Sequence, residues 1–173
     1  MQDILTCAMG LDVHRDIIVA CLVKGAVDAE PEAETRTFST LIPEMQKLRD
    51  WVIESECRNI AMESTGIYWQ PIYEMLESCF DGEISILVVN ARHMKNVPGR
   101  KTDMKDAQWI ATLLRAGLLK GSFIPDKAFR ELRHLTRYRK SVVHDITAQK
   151  NRIDKFLQSS GFRFTAFLSD TFG

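Results

Sequence analysis

Two apolar, β-branched runs, CAMGLDVH (7–14) and IIVACLVKG (17–25), are separated by Arg15-Asp16 alone. So short a connection predicts an antiparallel hairpin, because a parallel pair needs a crossover of about a dozen residues or more. The acidic, proline-containing AVDAEPEAE (26–34) reads as a loop, and the alternating TRTFST (35–40) as a third strand. Pro43 opens a predicted helix over 43–56, as proline in a first turn can. NIAMES (59–64) is a short buried strand, residues 69–80 suit a helix, and ISILVVN (84–90) has the unbroken apolar character of a central parallel strand. Three strands, helix, strand, helix, strand predicts an α/β fold: an antiparallel meander extended by parallel strands.

Beyond this frame the chain turns basic. ARHMKNVPGRK (91–101) leads into a predicted helix from Asp103 to about Leu118, with Ala107, Ile110, Ala111, Leu114 and Leu118 at helical spacing. Thr102 stands at its N-cap position. After KGSFIPD, one long helix is predicted to about Ser159. Ala128, Leu132, Leu135, Val142, Ile146, Ile153 and Phe156 fall on alternating steps of four and three, with Arg139 and Gln149 filling the gaps. This is an imperfect heptad seam roughly 45 Å long. The domain reading is therefore 1–122 for the α/β body, 123–160 for the long helix and 161–173 for a linker.

The formal net charge of zero conceals a division between halves. Residues 1–90 hold 6 Lys/Arg against 16 Asp/Glu, a balance of −10, and residues 91–173 hold 17 against 7, a balance of +10. Such asymmetry suggests a polyanionic partner for the basic half, against the blander reading of a solvated face. No apolar run reaches the roughly 18 residues of a membrane span, and the first residues lack the features of a signal peptide. Cys7, Cys21, Cys57 and Cys79 form no CxxC pair, so zinc and a disulfide framework are disfavoured and reduced core thiols in a cytoplasmic protein are expected.

Four carboxylates carry the chemistry. Asp12 lies within the first strand, on the face shared by Ala8 and Gly10, where an unpartnered buried charge is costly. Glu63 ends the next apolar strand. Asp103 and Asp106, three apart, share one face of a helix start, where the helix dipole alone would already favour them. Parallel strands gather their C-terminal ends in one crevice, which gives Asp12 and Glu63 a reason to meet. Like charges 4 Å apart repel by about 4 kcal/mol at an effective dielectric near 20. Magnesium or manganese relieves that repulsion, and two such ions are a standard device for phosphodiester chemistry.

GLDVHRD, AMESTGIYWQP, VNARHMKNVPGRKTDMKDAQWIATLL and LRHLTRYRKSVVHDITAQKNRI together resemble the amino-terminal domain of the DEDD-type insertion-sequence transposases, which are similar also to Piv-type DNA invertases. The resemblance runs over about residues 8–160. It implies a ribonuclease H-like (RuvC-like) mixed sheet with flanking helices and a long basic C-terminal helix. It implies that Asp12, Glu63, Asp103 and Asp106 are the catalytic, Mg2+- or Mn2+-binding acids of a DNA recombinase. It further implies self-association through the long helix into a dimer or higher oligomer, and a structured guide RNA encoded by the element. In the family a carboxy-terminal domain carries the serine proposed as nucleophile, so this chain reads as the N-terminal domain alone. Ser141, Ser159, Ser160 and Ser169 match no part of that distal motif.

Arg92, Lys95, Arg100 and Lys101 flank the acids and are candidate phosphate ligands, as are Arg130, Arg133, Arg137 and Lys140 on the long helix. Tyr68 and Trp69 could stack on bases, though packing the helix onto the sheet is the favoured role. His14 shares the strand face of Asp12, where a supporting or proton-shuttling role competes with the favoured reading, a satisfied structural histidine. Three other functions compete with recombination. An actin-like phosphotransferase would need glycine-rich nucleotide loops, and Gly10, Gly66 and Gly99 are isolated. A 3′–5′ exonuclease would place an acid where His14 stands. A non-catalytic RNA- or DNA-binding and dimerisation module is compatible with the main reading.

Overall fold

The computed structural model describes residues 4–64, 66–80, 82–90, 106–163, 168 and 172. The chain divides into two compact units, Met1–Phe123 and Ile124–Gly173. The first contains β1 (Cys7–Val13), β2 (Ile17–Lys24), β3 (Glu32–Ser39), α1 (Ile42–Glu54), β4 (Asn59–Glu63), α2 (Trp69–Phe80), β5 (Ser85–Val89) and α3 (Asp106–Arg115). Its sheet has the order β3-β2-β1-β4-β5. The first three strands are antiparallel, and β4 and β5 add in parallel to β1. This is the mixed sheet, an antiparallel meander extended by parallel strands, expected from the sequence.

Two expectations about the strands change. The stretch 32–34 belongs to β3, not to a loop, because β3 pairs with β2 along its whole length from Ile17↔Ser39 to Lys24↔Glu32. Its charged side chains face water at a sheet edge, where polar alternation is compatible with a strand. The apolar run at 85–89 forms the opposite edge of the described sheet, not its centre. Its apolar character has another cause: the chain returns alongside, with an antiparallel bridge Val89↔Gly121 and Ser122 N–H donating to Val88 O at 2.7 Å.

The two faces of the sheet are covered differently. Trp51 of α1 packs against Phe38 of β3 with ring centroids 6.1 Å apart, while Leu48, Trp51 and Val52 form that helix's buried stripe. On the other face α3 lies directly on β1. Ala8, Ala61 and Val89 of the sheet cluster there with Trp109, Ile110, Leu113 and Leu114 of the helix, and Cys21 and Val23 cluster with Ala107 and Ala111. Gly10 makes this approach feasible. A methyl group there would overlap the Ala107 carbonyl oxygen and lie 2.5 Å from the Ala111 nitrogen. The helix ends at Arg115, three residues before the predicted end, and Gly117 follows with a φ of 67°, the left-handed conformation that favours glycine.

The second unit is built on α4, Lys127–Ser159, in which Asp126 caps the N-terminus by accepting from Phe129 N–H at 3.0 Å. Among the described residues of α4 only Arg130 is buried. No helix of the described residues is long and apolar enough to cross a membrane.

Candidate active site

The register of the parallel pair brings the first two acids together. Met9 pairs with Ile60, Gly10 with Ala61 and Leu11 with Met62. One step further along both strands stand Asp12 and Glu63, on the same face and at neighbouring C-terminal strand ends. Adjacent strands run about 4.8 Å apart, so their side chains are neighbours. Glu63 in turn pairs with Val89 of β5.

The third acid comes from α3. Asp106 is the first residue of that helix, and Ala107 packs at Gly10, two residues before Asp12 on the same strand face. Glycine at position 10 thus does more than permit packing: it brings the acidic start of α3 beside the acidic end of β1. The electrostatics agree with this geometry. Burial pushes the Asp12 carboxyl above its usual range, the charge and hydrogen bond of His14 oppose this, and the negative charges of Asp106 and Glu63 raise it further. Asp12 therefore feels acids from two other elements.

His14 is hydrogen-bonded but lies at the surface. Its side chain is 62% exposed, and Nε2 lies 3.1 Å from Asp12 Oδ2. It stands at the solvent rim and holds one oxygen of the more buried carboxylate. The period-2 spacing of positions 12 and 14 was the available signal. The thiols also differ from expectation: Cys21 and Cys57 are buried, but Cys7 is partly exposed and Cys79 exposed, because Cys79 sits near the outer end of α2. Trp69 meets Tyr73 edge-on, with centroids 5.8 Å apart, one turn along its own helix, and Tyr68 stays partly open to solvent.

Asp103 and Thr102 lie outside the described residues, as do Arg92, Lys95, Arg100 and Lys101. On α4, Arg133, Arg137 and Lys140 are exposed. Arg130 is 8% exposed, and its Nη1 donates to Pro125 O at 2.7 Å. This bond fastens the start of the helix. A buried arginine that the sequence pattern did not single out is Arg115, at the far end of α3. Its Nε donates to Leu5 O at 2.9 Å, and Nη2 donates to Gly25 O at 3.1 Å and Ala26 O at 2.5 Å. It ties the helix to one end of the β1–β2 pair, where β1 begins and β2 finishes.

Carboxylate oxygens alone suit a hard divalent cation, and the repulsion felt by Asp12 is the conflict such a cation relieves. Among the described residues no three His, Cys, Asp or Glu side chains are gathered closely enough to hold an ion.

A family model described as transposase, for the DEDD transposases of the IS110 type, matches residues 9–161. The chain belongs to this DEDD transposase family. Membership assigns it to DNA transposition and recombination. No curated protein matches the chain. Among solved structures, it is similar to Thermus thermophilus RuvC at 12% identity and a TM-score of 0.45, covering 67% of this chain and 99% of that one. T. thermophilus RuvC in complex with a Holliday junction substrate matches at 12% identity and 0.45, over 68% of this chain and 100% of that chain. A Fowlpox virus resolvase in complex with Holliday junction DNA matches at 7% identity and 0.45, over 64% and 96%.

Proposed function

We propose that the first unit of this transposase domain is a Mg2+- or Mn2+-dependent DNA strand-cleavage centre, with Asp12, Glu63, Asp103 and Asp106 as its metal-binding acids. The carrying observation is the register that aligns Asp12 with Glu63, together with the seating of α3 on Gly10, which brings Asp106 to them. When bound, the cation supplies Lewis-acid stabilisation of the phosphodiester oxygens. The chain's own residues supply rigidity: two carboxylates sit on paired strands and one on a helix packed directly against them. His14 orients Asp12 through Oδ2.

Around this centre we assign DNA and a structured, element-encoded guide RNA as partners, with Arg92, Lys95, Arg100, Lys101, Arg133, Arg137 and Lys140 as phosphate ligands. The seam of α4 is the surface for association with a second copy. Leu132, Leu135, Ile146, Ile153 and Phe156 are 48–70% exposed, and a helix with an open apolar stripe gains its stability from a partner. Attack on phosphorus is assigned to the distal serine of the family's second domain and to none of the serines in residues 1–173.

Calorimetric titration of the chain with Mn2+ tests the centre directly. Asp12→Asn and Glu63→Gln should each weaken binding at least about tenfold, as loss of a ligand to a hard cation implies. Equal affinity in both variants would remove these residues from the site.

A further inference from the structure

At the other end of the sheet, β1 begins with a partly exposed thiol in a cationic setting. Cys7 pairs across the antiparallel ladder with Lys24, which puts the two side chains on one face. Arg115 reaches the same corner, bound to Leu5 O two residues before and to Gly25 O one residue after that lysine. A second thiol lies beside it. Asn59 donates through Nδ2 to Cys7 O at 3.3 Å and accepts from Cys57 Sγ at 3.3 Å, so one residue holds both cysteines. Cys57 is buried, with Cys7 as the outer member of the pair. Five residues of strand, about 17 Å, separate this corner from Asp12.

We propose that Cys7 and Cys57 form a thiol–disulfide exchange site for small disulfides of the glutathione type, with Cys7 the attacking sulfur and Cys57 the resolving one. The Cys7 thiolate bonds to one sulfur of the small disulfide and expels the other as a thiolate, which takes up a proton. Cys57 then loses its proton and bonds to the Cys7 sulfur, expelling the second small thiol. The protein dithiol is oxidised by two electrons, and the small disulfide is reduced to two thiols. The electrostatics favour this order of events. The hydrogen bond from Cys57 brings the Cys7 thiol down to about 7 against the opposing effect of burial, and the charges of Lys24 and Arg115 add to the lowering. Cys57 is pushed far up by the same hydrogen bond and by burial, so it stays protonated until Cys7 has reacted.

The exposed Cys79 provides an internal comparison in the same chain. Iodoacetamide modification of Cys7, followed by peptide mass across pH, should reach half its plateau rate near pH 7, about 1.5 units below an ordinary thiol. Treating the folded chain with oxidised glutathione at pH 7 should yield a Cys7–Cys57 disulfide, and only a mixed disulfide at Cys79. Cys57→Ser should stop at the glutathione adduct of Cys7. Half-maximal modification near pH 8.5, or a wild-type chain that forms no Cys7–Cys57 bond, overturns the proposal without recourse to any variant.

Discussion

The two units of this chain are held by different means. In the first, helix and sheet bury Met9, Leu11, Ile18, Ile60, Met62 and Ile110 almost completely, and both sheet faces take part. In the second, a 33-residue helix bears 9 Lys/Arg against 3 Asp/Glu and buries a single residue, Arg130. One unit encloses its core. The other displays an apolar stripe that only another surface can close, because a helix of its polar composition has little to stabilise it in isolation. The first unit is a packed body, and the second exposes an apolar stripe beside a strongly basic surface.

The sharpest way to break the comparison is at Gly10. Gly10→Val should lower stability by about 1–3 kcal/mol or more, since the added atoms meet helix backbone that cannot repack. Urea unfolding should show the loss in the first unit, with cation binding abolished because Asp106 moves with α3. A variant as stable as wild type would show that α3 is not seated on β1 as described.

Next is the seam. Leu135→Glu with Ile146→Glu should convert an associated chain to a folded monomer by sedimentation equilibrium, leaving the first unit's unfolding midpoint unchanged. An unaltered mass in the double variant would refute association through α4.

A smaller effect is expected from charge on the same helix. Arg133→Gln, Arg137→Gln and Lys140→Gln together should reduce the slope of log affinity against log salt for duplex DNA by about 2–3, one released counterion per lost phosphate contact. Arg130→Gln should leave that slope unchanged, since its guanidinium is committed to Pro125 O. A change of slope at Arg130 alone would reverse the assignment.

The smallest effect concerns Asp12. Its folded-state carboxyl is raised by burial and by its acidic neighbours, so the folded protein holds that proton more tightly than the unfolded chain. Between the ordinary aspartate value and the raised one, the native state binds more protons, and stability falls as pH rises through that window. Asp12→Asn should therefore melt higher than wild type at neutral pH and match it below the ordinary aspartate range. Mg2+ should narrow the neutral-pH difference by stabilising the wild type alone. A melting point for Asp12→Asn that is lower at neutral pH would mean that His14 outweighs the burial.

Much of this was readable from residues alone. The two-residue link at Arg15-Asp16 dictated a hairpin, and the apolar periods located α3 and α4, because local spacing determines which residues share a strand or helix face. The tertiary structure decided what depends on neighbours distant in sequence. β5 is an edge strand, its apolar character explained by the returning chain at Gly121 and Ser122. Residues 32–34 are strand because β2 offers them partners, and the buried Arg130 donates a hydrogen bond to Pro125 O. Asp12 and Glu63 are separated by fifty-one positions in the chain, and only the β1–β4 register makes them neighbours. Sequence periodicity carries the direction of each side chain within its own element. Which elements meet, and therefore which charges interact, is settled by packing across the sheet.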